Sequence, residues 1–191
     1  MAAYALRELH DRRAPPPRPH AVPPDRVRGR RLHPRTCAGI EHTDDEVSEL
    51  VNEITRLDPF PEVVQALSEL KSHGLKLFIL SNGDPDMLAA GVPHSGTEHL
   101  WDRVMSVAEA DSFKPHQTTY HTATSLIGLA RGEVLFVANH AFDCIGAKAA
   151  GLRSAFIDRR KRPFGNDRYV PDVTVSDMAE LANILKAEIS A

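Results

Sequence analysis

Three short polar clusters in this sequence carry groups that could act on one small molecule: Ser81-Asn-Gly83, Phe113-Lys-Pro-His116 and Asn139-His-Ala-Phe-Asp143. Each comes just after a strand-like run. Together they offer the hydroxyl of Ser81, the amide of Asn82, the ammonium of Lys114 and the carboxylate of Asp143. Such a set suits a small anion held in a crevice.

Each residue also has a plainer role. Ser81 could cap a following helix, as serine commonly does. A lone lysine such as Lys114 is usually solvated at the surface. Asp143 could complement the dipole of a helix it begins, and His140 could be an ordinary loop histidine. Order, spacing and strand-end placement favour a shared site over four separate accidents.

Something must bring the clusters together. The run Leu75-Lys-Leu-Phe-Ile-Leu80 reads as a strand buried on both faces, and therefore parallel. Further strands are expected over 104–107, 134–137, 154–157 and 173–175, with helices over 85–90, 118–127 and 142–150 between them. Strands alternating with helices mean a parallel sheet covered on both faces, the α/β class. Right-handed crossovers place the carboxyl ends of such strands along one edge, where ligands bind in open α/β sheets.

Upstream, Thr43-Asp-Asp-Glu46 is a capping box, followed at helical spacing by Val47, Leu50, Val51, Ile54 and Leu57. Pro61 marks the start of a second helix with an apolar stripe of Val63, Val64, Leu67 and Leu70. Asp177-Met-Ala-Glu180 caps a last helix carrying Leu181, Ile184 and Leu185.

At 191 residues the chain suits one domain, and 42% hydrophobic with 26% charged residues is ordinary globular composition. A net charge of −3 argues against nucleic acid and membrane surfaces as partners, and no apolar run is long enough to span a bilayer. Cys37 and Cys144 are isolated, which points to reduced thiols and a cytoplasmic setting. The average hides an asymmetry: residues 1–39 hold nine Arg, no Lys and only three acids, with seven of the 14 prolines. Residues 1–40 are therefore expected to be extended, disordered or non-native sequence.

Residues 60–191 resemble the haloacid dehalogenase superfamily, and within it the type II 2-haloacid dehalogenases. The resemblance rests on Leu80-Ser-Asn-Gly-Asp-Pro-Asp-Met-Leu88, Phe113-Lys-Pro-His-Gln-Thr-Thr-Tyr120 and Phe136-Val-Ala-Asn-His-Ala-Phe-Asp-Cys-Ile-Gly-Ala-Lys-Ala-Ala-Gly151. It implies a Rossmann-like core over 59–191 and a remnant of a helical cap over 41–58. It further implies that Ser81 and Asn82 hold a substrate carboxylate, that Lys114 steadies a nucleophilic aspartate, and that Tyr120 lies nearby. Asp143 would position the hydrolytic water, with Asn139 and His140 beside it. The chemistry is displacement of halide from C2 of a small 2-haloacid by a carboxylate, then hydrolysis of the ester to a 2-hydroxy acid. The resemblance implies no cofactor, and a homodimer, since members of this branch are often dimers.

Two departures qualify the resemblance. Phosphatases of the superfamily hold Mg²⁺ with a further acid where this chain has Asn139, so neither a metal nor phosphatase chemistry is expected. Near the N-terminus, no apolar run leads into the Asp-x-x-x-Thr that carries the family's nucleophile. Tyr4-Ala-Leu-Arg-Glu-Leu9 instead has a helical look, like part of a cap. The expectation is thus an incomplete dehalogenase, weakly active or inactive, whose central nucleophile strand is absent and whose neighbouring strands close up or expose an edge. The alternatives are a phosphatase of the same superfamily and a non-catalytic module that binds small carboxylates.

Overall fold

A computed structural model describes residues 2–5, as backbone, and residues 43–190. Its centre is a six-stranded sheet in the order β3-β2-β1-β4-β5-β6. The strands are β1 (Ala2–Ala5), β2 (Lys76–Ser81), β3 (Arg103–Ser106), β4 (Val134–Ala138), β5 (Arg153–Ile157) and β6 (Val173–Val175). The apolar runs expected as strands over 75–157 form β2 to β5, within a residue or two. Leu77 to Leu80 and all of β4 are buried, as strands covered on both faces must be.

Helices α1 (Asp44–Ile54), α2 (Val63–Ser72), α3 (Pro85–His94), α4 (Gln117–Ile127), α5 (Ala141–Ala149) and α6 (Met178–Ile189) complete the α/β layers. The period-2 alternation of the strands sorts the core into two clusters. Leu77, Leu135 and Ala155 point to the face where Leu67 and Leu70 of α2 meet Leu181 and Leu185 of α6. Phe78, Leu80 and Phe136 point to the other face, with Tyr120 and Ala123 of α4 and Cys144 and Ala147 of α5.

Helix ends follow the sequence signals. Thr43 and Glu46 form the expected reciprocal capping box on α1, and Asp177 accepts a hydrogen bond from the Glu180 amide at the start of α6. Gly128, at φ 70°, ends α4 in the left-handed conformation that glycine adopts without a Cβ penalty. Pro61 lies in a turn ahead of α2, which begins at Val63.

Three expectations require correction. The sheet is not wholly parallel, and its centre is not vacant: Ala2–Ala5 lies between β2 and β4, antiparallel to both. Its pairing satisfies inner-edge backbone groups that would otherwise be stranded. The strands on either side therefore neither close up on each other nor expose an edge. The helical look of residues 4–9 fails at Tyr4 and Ala5, which are in the strand. Residues 6–42, including Cys37, lie outside the described residues. Helix α1 forms as expected; none of its residues is buried, and Leu50, Val51 and Ile54 are exposed.

Candidate active site

Strands β2 and β4 end at Ser81 and Ala138, and the loops beyond them bring two of the three polar clusters to one edge of the sheet. The third arrives by way of the loop that precedes α4. Asn82 ties the first cluster to the third. Its Oδ1 accepts from the Lys114 amide at 3.0 Å, and its Nδ2 donates to the Lys114 carbonyl at 3.3 Å. The carboxamide is thus committed to the Lys114 main chain, a positioning role that spacing alone did not suggest.

Ser81 does not cap α3, whose N-cap residue is Asp84; its Oγ accepts from the Gly83 amide at 3.0 Å. Ser106 Oγ donates to the Gly83 carbonyl at 2.7 Å, so β3 anchors the same turn. Gly83 also stands close to the hydroxyl: a Cβ there would lie 3.3 Å from Ser81 Oγ. The half-buried Ser81 is held by a turn that leaves its hydroxyl hydrogen free to donate.

Lys114 and Asp143 form the chemical centre. Their side chains are 1% and 0% exposed, and Nζ lies 3.4 Å from Oδ1. Neither is the solvated residue that its type alone would suggest. Lys114 Nζ donates to the Leu80 carbonyl at 3.0 Å and stands 5.4 Å from the centroid of the Phe136 ring, a cation–π distance. Beyond the ion pair, neither carboxylate oxygen of Asp143 has a hydrogen-bond partner among the described residues. Carboxylate lone pairs are acceptors that a buried site rarely leaves idle.

Burial pushes the Lys114 ammonium below its usual range, and the neighbouring Asp143 charge works against that shift. Burial likewise raises the Asp143 carboxyl, with Lys114 opposing. Each group makes the other's charge tolerable in a place where either alone would favour its neutral form. Asp143 also sits in the first turn of α5, where helix amides favour an anion.

Tyr120 is fully buried, and its hydroxyl donates to the Asp143 carbonyl at 3.0 Å. Its ring meets Phe136 edge-on at 5.3 Å. The phenol thus fixes the backbone that carries Asp143, beside the buried Lys114–Asp143 pair. Gly146 makes this packing fit, since a Cβ there would lie 2.6 Å from the Tyr120 hydroxyl and 2.7 Å from Pro115 Cβ. Asn139 and His140 are exposed and line a separate cleft of about 180 Å³ beside the pair. His140 is the N-cap residue of α5 but makes no capping bond with its side chain.

The lining of that cleft also contains Arg159, Arg160 and Arg162, which lie outside the three polar clusters. The same signal, polar residues directly after a buried strand, marks them in Ile157-Asp-Arg-Arg-Lys-Arg162. Among the described residues, no group of three His, Cys, Asp or Glu is placed to hold a metal ion. No helix there is long and apolar enough to cross a membrane.

The pattern of the haloacid dehalogenase-like hydrolases matches residues 27–157. The chain belongs to the haloacid dehalogenase-like hydrolase family. Within it, the chain is 36% identical over 152 residues to haloacetate dehalogenase H-2 of Moraxella sp. (strain B), covering 78% of this chain and 68% of that protein. It is 36% identical over 139 residues to (S)-2-haloacid dehalogenase of Pseudomonas sp. (strain YL), covering 73% of this chain and 60% of the relative. It also superposes on the structure of L-2-haloacid dehalogenase from Xanthobacter autotrophicus with chloropropionic acid covalently bound. That match has a TM-score of 0.69 and 31% identity, and covers 78% of this chain and 69% of the other. The haloacid dehalogenase fold accounts for the α/β layers and for the gathering of Ser81, Lys114 and Asp143 at one edge.

Proposed function

We propose that this chain carries the substrate-holding and ester-hydrolysing side of a 2-haloacid dehalogenase site. The observation that supports it most is the buried Lys114–Asp143 pair, set beside Ser81 at the carboxyl edge of the sheet. In this reading Ser81 donates to the carboxylate of a short 2-haloacid. Asn82 acts through Lys114, whose loop it fixes, and Lys114 supplies the positive charge that an attacking carboxylate needs. Asp143, with idle acceptor oxygens, receives a proton from the water that cleaves the ester.

On the expectation that the family's Asp-x-x-x-Thr nucleophile motif is missing here, the chain should bind short 2-substituted carboxylates and release little or no halide. The bound chloropropionate of the Xanthobacter relative supports the ligand class. A phosphatase is disfavoured because Asn139 is neutral and the charge facing Asp143 comes from an ammonium.

The test is halide release from L-2-chloropropionate by the purified chain, alongside hydrolysis of an aryl phosphate with Mg²⁺. Binding of the haloacid with little or no halide release is expected. Steady halide release that Lys114→Ala abolishes would show that the chain supplies its own nucleophile. Mg²⁺-dependent phosphate hydrolysis would move the reading to the phosphatases.

A further inference from the structure

The cleft beside the catalytic pair has a composition of its own. Asn139, His140 and the first residue of α5 lie on one side, and the loop after β5 on the other, with Arg159, Arg160 and Arg162 in its lining. Arg159 is engaged: it pairs with Glu62 and its guanidinium lies 3.9 Å from the centroid of the Phe60 ring. Arg160 and Arg162 are exposed, and their side chains have no acidic partner among the described residues. The loop is nonetheless shaped, because Asp158 Oδ1 accepts from the Arg162 amide at 3.1 Å and Lys161 takes a left-handed φ of 49°. Glu62 pairs with one of the three lining guanidinium groups, Asp158 places a carboxylate in the same lining, and Lys161 adds a positive charge to the loop.

We propose that this cleft is a second anion subsite, which takes a phosphate or carboxylate group between Arg160, Arg162 and the amino end of α5. Guanidinium forks and free first-turn amides are both donors matched to oxyanions. At about 180 Å³ the cleft suits a small oxyanion or the anionic end of a longer molecule, not a whole organic ligand. It is also distinct from the carboxylate position at Ser81. β2 and β5 are three strand spacings apart, roughly 14 Å at about 4.8 Å each. A short haloacid held at Ser81 extends toward Asp143 at the start of α5 but not as far as the arginines of the loop after β5. The ligand is therefore either a free oxyanion or the distal group of an elongated 2-substituted acid; only the second case rests on the dehalogenase reading.

The test follows amide resonances of the ¹⁵N-labelled full chain during titration with inorganic phosphate. Shifts at residues 139–141 and 158–162 are expected, weakened about tenfold or more in Arg160→Ala/Arg162→Ala and unchanged in Ser81→Ala. Absence of those shifts, or their survival in the double arginine variant, would overturn the subsite. A long-chain 2-hydroxy dicarboxylic acid then separates the sources. Tighter binding than L-lactate, lost in the arginine variant, assigns the subsite to a distal group; equal binding assigns it to a free anion. L-lactate that leaves Ser81 and Lys114 unmoved while phosphate still binds would sink the dehalogenase reading and leave the subsite standing.

Discussion

The two faces of the sheet are built on opposite principles. Under α2 and α6 the core is hydrocarbon, with Leu67, Leu70, Leu77, Leu135, Leu181 and Leu185 almost wholly buried. Under α4 and α5 the same sheet buries an ammonium, a carboxylate, a phenol and the hydroxyl of Thr119. Thr119 Oγ1, like both Asp143 oxygens, has no hydrogen-bond partner among the described residues. Both faces stabilise the domain through apolar area removed from water, at about 25 cal/mol per Å², but only the second mixes charged and polar groups into its core. The second accepts desolvated polar groups that contribute little to stability and are worth keeping only for what they do. On the proposed reading, the buried Lys114–Asp143 pair puts the chemistry on the face that also buries polar groups.

The contrast can be broken most sharply at Lys114. Lys114→Met should cost about 3–5 kcal/mol in chemical denaturation, because it leaves Asp143 charged, buried and uncompensated. The loss should depend on pH. Burial already raises the folded-state pKa of Asp143 above its unfolded value, so the folded chain holds that proton more tightly. Removing Lys114 raises it further. Stability of the variant should then fall as pH rises from the unfolded carboxylate value through the raised one. The double variant Lys114→Met/Asp143→Leu should recover much of the loss, and a flat pH response in Lys114→Met would show that Asp143 is not held above its unfolded value.

On the hydrocarbon face, Leu181→Ala should cost about 2–5 kcal/mol through the cavity it opens. It should do so with no change in the pH profile, and no change in carboxylate binding per folded molecule. A binding defect there would mean that the faces are not separable. Smaller still is Tyr120→Phe, which removes one donor to the Asp143 carbonyl and should cost about 1 kcal/mol by denaturation. Its effect on binding of a 2-haloacid should exceed what that stability loss explains, since it loosens the helix start that carries Asp143.

Most of the scaffold was legible because the buried stretches of β2, β4 and β5, at 77–80, 134–138 and 155–157, read as short apolar runs. The convergence of the three polar clusters was legible for the same reason, since strand ends are what position them. What escaped is instructive. Ala2-Ala-Tyr-Ala5 is four residues, mostly of a type depleted in strands, and owes its place to the ladders on either side. The Asn82 clamp on Lys114 spans 32 residues, a separation that no local pattern encodes. Burial of Lys114 and Asp143 runs against the habits of both residue types and follows from each being the other's partner. In α1 the apolar spacing predicted a helix and the capping box confirmed its start, yet periodicity could not say what, if anything, its apolar side faces.

The most direct test of the central claim, that Ser81, Lys114 and Asp143 act as one carboxylate-binding site, is a titration of the labelled full chain with L-2-chloropropionate. Halide is measured in the same tube. The account predicts saturable shifts at Ser81, Asn82, Lys114 and Asp143, abolished together by Lys114→Ala, with little or no halide released. Shifts confined to another part of the sheet, or none at millimolar ligand, would contradict it.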